Sequence, residues 1–158
     1  MGGTRKSKDD NPVLADNRKA RFDYEFLQEL EAGIALQGSE VKAIRDGRIS
    51  LKEAFCQFNG DELFLLQAHI GEFAQAHARN HPPLRPRKLL LKRHELDKLS
   101  DAVQKQGCTI VPTRAYIKGR VIKVSIALVR GKKVHDKRAT IKEREQKREM
   151  ERARRERS

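Results

Sequence analysis

The amino-acid sequence predicts a mainly β protein with embedded helices and a basic C-terminal tail. Three observations carry that expectation. Apolar side chains alternate with polar ones in several short runs, the period of a half-buried strand. Turn-forming residues separate those runs at short intervals. After Arg130 the apolar side chains nearly vanish. With 158 residues the chain suffices for one ordinary domain.

Residues 1–12 include Gly2, Gly3, Ser7, Asp9, Asp10 and Pro12, offer nothing to bury, and read as a flexible lead-in. The folded domain is expected over residues 13–130. Phe22, Tyr24 and Phe26 alternate with polar residues, and Leu30, Ala32, Ile34 and Leu36 follow in a second phase. This predicts a strand from Phe22 to Leu36, with a bend or bulge at Gly33. Ser39–Arg45 predicts a short helix carrying Val41 and Ile44, stopped by Asp46-Gly47. Ala54–Asn59 and Glu62–Ala68 flank Asn59-Gly60-Asp61-Glu62 and predict a hairpin. Pro82, Pro83 and Pro86 keep the next stretch extended. Lys88–Gln106 predicts a helix with Leu89, Leu96, Leu99 and Val103 on one stripe and Gly107 as its stop. Cys108–Ile117 and Arg120–Val129 predict two strands joined through Lys118-Gly119, the second the most β-branched run in the chain. Curved strands, short turns and intervening helices suit a closed or partly closed OB-like antiparallel β-barrel, an architecture that presents a basic face to nucleic acids.

Residues 131–158 hold 12 Lys or Arg against 6 Asp or Glu. Such a segment builds no core of its own, yet its helix propensity is high. It is expected to be disordered alone and helical when bound.

Charge narrows the function. Lys and Arg total 35 against 22 acidic residues, a net charge of +13, and the mean hydropathy is −0.77. A polyanion is the expected partner, either nucleic acid or an acidic membrane face. No apolar run approaches the roughly 18 residues of a membrane span, and Met1 to Asp10 lack the apolar stretch of a secretory signal. Two cysteines, Cys56 and Cys108, without C-x-x-C spacing suit a reducing, cytoplasmic setting.

No catalytic set stands out among the five histidines, His69, His77, His81, His94 and His135. His77 and His81 have zinc-like spacing but no cysteine pair or third ligand nearby, so they read as surface residues beside the proline-rich loop. Neither a metal nor a cofactor is expected, nor an enzymatic activity. What remains is basic clusters at element junctions, Asn17-Arg18-Lys19-Ala20-Arg21 and Arg85-Pro86-Arg87-Lys88. Eight Phe and Tyr with no Trp mostly fall on expected core positions. Recognition by phosphate contacts and RNA shape therefore fits better than an aromatic stacking platform.

Several blocks are more specific. Asn17-Arg18-Lys19-Ala20, Tyr24, and Glu31-Ala32-Gly33-Ile34-Ala35-Leu36-Gln37-Gly38 run into Glu40-Val41-Lys42. Arg85-x-Arg87-Lys88-Leu89-Leu90-Leu91, Thr109-x-Val111-Pro112 and Gly131-Lys132-Lys133-Val134-His135-Asp136-Lys137-Arg138 follow in order. This series resembles the SmpB family of SsrA-binding proteins from about residue 12 to the end. The resemblance implies an OB-like barrel that binds the tRNA-like domain of transfer-messenger RNA (tmRNA, SsrA). It further implies delivery of that RNA to stalled ribosomes for trans-translation, which tags the nascent peptide for degradation. The implied partners are tmRNA, the ribosome at its small-subunit rRNA, and elongation factor Tu through the charged RNA, in bacterial cytoplasm and without a membrane.

Carried over by position, Asn17, Arg18, Lys19, Glu31 and Leu90 face the RNA, and Lys42, Arg45, Arg87 and Lys88 contact phosphate. Gly131, Lys132, Lys133, His135, Asp136, Lys137 and Arg138 place the tail in the decoding centre and empty mRNA channel. Glu31 is the informative position, because a carboxylate repels phosphate and must accept from base or sugar donors. Its alternative is an internal salt bridge to a neighbouring base. Ser39, Ala43, Pro82 and Cys108 depart from the family pattern. A ribosomal or general RNA-chaperone protein is the competing reading, from which the Gly131–Arg138 block separates this chain.

Overall fold

The structure is a computed structural model that describes residues 12–131 and 144–153. Strand β1 (Val13–Asp16) leads into helix α1 (Arg18–Asp23), strand β2 (Tyr24–Ile34) and helix α2 (Gly38–Arg45). Strands β3 (Ile49–Ser50), β4 (Phe55–Asn59), β5 (Glu62–Leu66) and β6 (His69–Ile70) come next, then a 3-10 helix (Ala74–Arg79) and strand β7 (Arg87–Leu90). Helix α3 (Arg93–Gln106) precedes the long strands β8 (Thr109–Lys118) and β9 (Val121–Gly131). Residues 144–153 are helical with every side chain exposed.

Six strands close a ring. β8, β4, β5, β7, β2 and β9 pair antiparallel in that order, and β9 returns to β8. β1 adds to β8 beside Arg114–Tyr116. Closure satisfies strand edges that would otherwise invite aggregation. This is the expected mainly β barrel with embedded helices.

Inward side chains alternate along the strands and meet in one core that includes Ala32, Leu63, Leu65, Leu89, Ile110, Val124 and Ile126. α3 contributes Leu99 and Ala102 to it. On the outer face, α1 lays Ala20 over Val111, Ala127 and Val129. α2 packs Ala43 and Ile44 against Ile70 and Ile122. The Ala127–Val129 end of β9 is thus covered on both sides, which accounts for the apolar run there.

Several boundaries differ from the sequence expectation. Phe22 lies in the last turn of α1 rather than in a strand, because Asn17 caps a helix there. The irregularity in β2 falls between Phe26 and Gln28, not at Gly33. Gly33 instead marks a close approach, pairing with both Leu90 and Lys123; a Cβ there would sit 3.2 Å from Leu90 Cβ. Lys88–Leu90 belong to β7 and not to a helix. Leu89 is buried while Leu90 is 51% exposed, the alternation of a strand, and pairing with β5 and β2 satisfies their backbone. The helix begins only at Arg93, where the Glu95 carboxylate accepts from the Lys92 amide at 3.2 Å. Its expected stop holds, since Gly107 takes the left-handed conformation (φ 65°). The hairpin turns through Gly60-Asp61 as expected.

Candidate nucleic-acid interface

Direct partners in an antiparallel sheet share a face. Leu90 of β7, Gly33 of β2, Lys123 of β9 and Tyr116 of β8 therefore form one row across the outside of the barrel. Glu31 and Ser125 with Arg114 form the next row. Alternation along β9 puts Lys123, Ser125, Ala127 and Val129 on that same outer face, so α1 covers one end of it.

Glu31 is an acidic member of this surface, as is Glu29, the pairing partner of Ala127. The Tyr116 hydroxyl donates to Glu31 Oε2, and Lys118 Nζ donates to Oε1 at 3.1 Å. The Tyr116 hydrogen bond, with Lys118 and Lys123 adding to it, holds the Glu31 carboxyl below the usual carboxylate range despite partial burial. Burial and the Glu31 carboxylate together push the Tyr116 phenol up. The internal salt bridge weighed against an RNA-facing role is present, and the carboxylate remains part-exposed at the surface.

The other expected site residues divide into two groups. Arg18 is 91% exposed with only a 4.0 Å approach to Asp16, and Lys19 lies 3.9 Å from Glu53. Lys88 pairs with Glu62 at 3.0 Å on the exposed side of β7. Lys42 Nζ stands 5.6 Å from the Phe73 ring centroid, and Arg45 donates to the Arg120 carbonyl at 3.3 Å. All of these keep a charge at the surface.

Asn17 and Arg87 belong to the second group, and both are corrections. Asn17 is buried: its Oδ1 accepts from the Ala20 amide at 3.3 Å and its Nδ2 donates to the Pro112 carbonyl at 3.0 Å. It caps α1 and ties it to β8 rather than facing a ligand. Arg87 is fully buried, donating from Nε to Glu40 at 2.5 Å and from Nη1 to the Ala68 carbonyl at 2.7 Å. Arg85 takes the other Glu40 oxygen at 2.5 Å. Burial raises the Glu40 carboxyl, but hydrogen bonds from Arg85, the Gln37 amide and Arg87 outweigh it and leave the group below its ordinary value. No phosphate can reach Arg87 in this arrangement.

His81 is also corrected. It is 2% exposed, with Nδ1 2.8 Å from Ser39 Oγ and Nε2 2.9 Å from the Ile70 carbonyl. Ser39, expected to depart from the family pattern, thus has a partner in the fold. The side chain of His77 lies outside the described residues. Among the described residues no group of three or more His, Cys, Asp or Glu is placed to hold a metal. Cys56 and Cys108 are buried free thiols.

Tyr116, Lys118 and Lys123, which act on Glu31, were not among the expected site residues. Their signal is present in the sequence: Arg114, Tyr116 and Lys118 alternate along β8, and Lys123 interrupts an apolar run. Of the expected tail contacts, Gly131 ends β9 opposite Tyr24. Lys132, Lys133, His135, Asp136, Lys137 and Arg138 lie outside the described residues. Arg144, at the start of the 144–153 helix, stands 5.2 Å from the Phe22 ring of α1.

A closed antiparallel barrel, helices packed on its outside and a lysine- and arginine-bearing outer face that carries a clamped carboxylate define an OB-like barrel protein of the nucleic-acid-binding class. Within that class, the chain belongs to the SmpB family, whose model, described as SmpB protein, matches residues 14–156. It is 50% identical over 147 residues to the SsrA-binding protein of Ligilactobacillus salivarius (strain UCC118), covering 93% of this chain and 95% of the relative. It is 48% identical over 147 residues to the SsrA-binding protein of Christiangramia forsetii, covering 92% and 94%. A solved chain described as "tmRNA-SmpB: a journey to the center of the bacterial ribosome" matches with a TM-score of 0.64 at 44% identity, over 78% of this chain and 86% of that one.

Proposed function

We propose that this protein binds the tRNA-like domain of tmRNA and delivers it to stalled ribosomes for trans-translation, freeing the ribosome and tagging the nascent peptide for degradation. The observation that carries this reading is the family match, which runs through barrel and tail alike. Arg18, Lys19, Lys42, Arg45 and Lys88 supply phosphate contacts, which set position and affinity. Glu31 and Leu90 add an acceptor and an apolar contact that phosphate cannot use. The protein works as a binding protein in the cytoplasm and catalyses no step itself. Elongation factor Tu joins through the charged RNA. The tail block from Gly131 to Arg138 enters the decoding centre and the empty mRNA channel.

Competition tests this reading. Purified protein should hold labelled tmRNA against a large excess of bulk tRNA, and extracts lacking it should regain peptide tagging when it is added. Complete displacement by an equal amount of bulk tRNA would instead mark a general RNA chaperone.

A further inference from the structure

We infer that Tyr116 and Lys118 are positioning residues that clamp the Glu31 carboxylate, so that its outward lone pairs meet a hydrogen-bond donor of the bound RNA in a fixed direction. The inference rests on the RNA-binding reading and deepens it. Glu31 projects from β2, and its clamp comes from β8, on the far side of β9. The Tyr116 hydroxyl occupies one site on Oε2, and Lys118 Nζ bridges the two oxygens at 3.1 and 3.5 Å. An ionised carboxylate offers about four acceptor sites. The remaining ones open outward, since the side chain is 38% exposed.

Two features make this more than a staple between strands. The Tyr116 ring is nearly buried, so packing fixes the direction from which its hydroxyl donates. A glutamate held this way loses little further rotamer freedom when a ligand arrives. The Lys118 ammonium also offsets the negative charge, with Lys123 and Arg114 close by on the same face. Polyanionic RNA can then approach a carboxylate that would otherwise repel it. The clamp converts a misplaced charge into a donor-reading group, which selects among RNAs rather than binding all of them.

Tyr116→Phe separates the two roles, because it deletes the hydroxyl, keeps the ring and leaves the net charge unchanged. Affinity for the isolated tRNA-like domain of tmRNA should fall about tenfold, while affinity for bulk tRNA and its salt dependence stay at the wild-type values. In a Glu31→Gln background the same substitution should change affinity less than about twofold, since the clamp then has nothing to hold. On the free protein, the Glu31 carboxyl should titrate below the ordinary glutamate range by carbon-detected NMR, and higher in Tyr116→Phe and Lys118→Met. Equal losses for both RNAs, or an undiminished loss in the Glu31→Gln background, would make the pair a structural staple and overturn the inference. A Glu31 titration that the substitutions leave unmoved overturns the clamp whatever the RNA does. Failure of the wild-type protein to prefer the tRNA-like domain overturns the functional reading instead.

Discussion

Glu40 shows how far a single residue's role can depart from its appearance in the sequence. It is a charged side chain on a short helix, yet it is fully buried and shared between Arg85 and Arg87. Arg87 also reaches the carbonyls of Ala68, Pro82 and Pro83, so this cluster ties α2 to the proline-rich segment. Glu40→Gln leaves a buried guanidinium without its counter-charge and should cost about 3–5 kcal/mol in urea unfolding. Asn17→Ala should cost about 1–2 kcal/mol, because it removes a helix cap and a buried hydrogen bond together. Any loss of RNA binding by that variant reports a loosened α1 rather than a lost contact. The acid behaviour follows from Glu31 and Glu40, both of which titrate below their ordinary value of 4.5 in the fold. The unfolded chain binds more protons than the native one in that window, so stability rises with pH there. Denaturation midpoints should be level above about pH 4.5 and fall as pH drops through the depressed values. A flat profile down to pH 3 would remove these carboxylates from the account.

At the scale of elements, β7 is the instructive case. Arg87-Lys88-Leu89-Leu90-Leu91 followed by Lys92 and Arg93 has a composition that suits a helix, and helix is what periodicity suggests. Tertiary pairing overrides it, because both edges of the strand find partners in β5 and β2. The two leucines then have opposite fates, and their substitutions should divide accordingly. Leu89→Ala opens the core and should cost about 2–5 kcal/mol in equilibrium unfolding. Leu90→Ala should change stability by less than about 0.5 kcal/mol while weakening RNA binding, a split that a helical segment would not produce. α3 shows the opposite, an element whose C-terminal end was legible in advance. Gly107→Ala forces a Cβ into the left-handed region and should cost about 1 kcal/mol.

The molecule as a whole couples a closed barrel to a charged tail. Core strands run to Gly131, and the 144–153 helix has every side chain exposed. A chain stopped after residue 131 should therefore keep its unfolding transition and bind the tRNA-like RNA with less than about a thirtyfold loss, while failing in peptide tagging. A larger loss would place the tail in the primary RNA site. Exposed bases spread over α1, α2 and β7 imply about four to six phosphate contacts. The logarithm of affinity should then fall with that of salt concentration at a slope of roughly −3 to −5. A slope near −1 would exclude this electrostatic footprint.

Much of this protein was determined by the sequence alone, because local patterns record local physics. Alternation in β2, β8 and β9, glycines at the turns, the end of α3 and the abrupt change after Arg130 each follow from backbone geometry or from the lack of anything to bury. The family blocks located Glu31 and Leu90 on one surface, and the structure brings those two onto neighbouring rows of one sheet face. Only the tertiary structure decided which charges face outward. Arg87 and Lys88 are adjacent and chemically alike, yet one is sealed against Glu40 and the other is exposed beside Glu62. The same holds for Asn17 against Arg18, and for His81 under Ser39. Burial and partner are set by contacts between residues tens of positions apart, and no local pattern encodes them. The strands β1, β3 and β6 stayed hidden for a related reason: two to four residues are too few to show a period, and their pairing partners lie far along the chain.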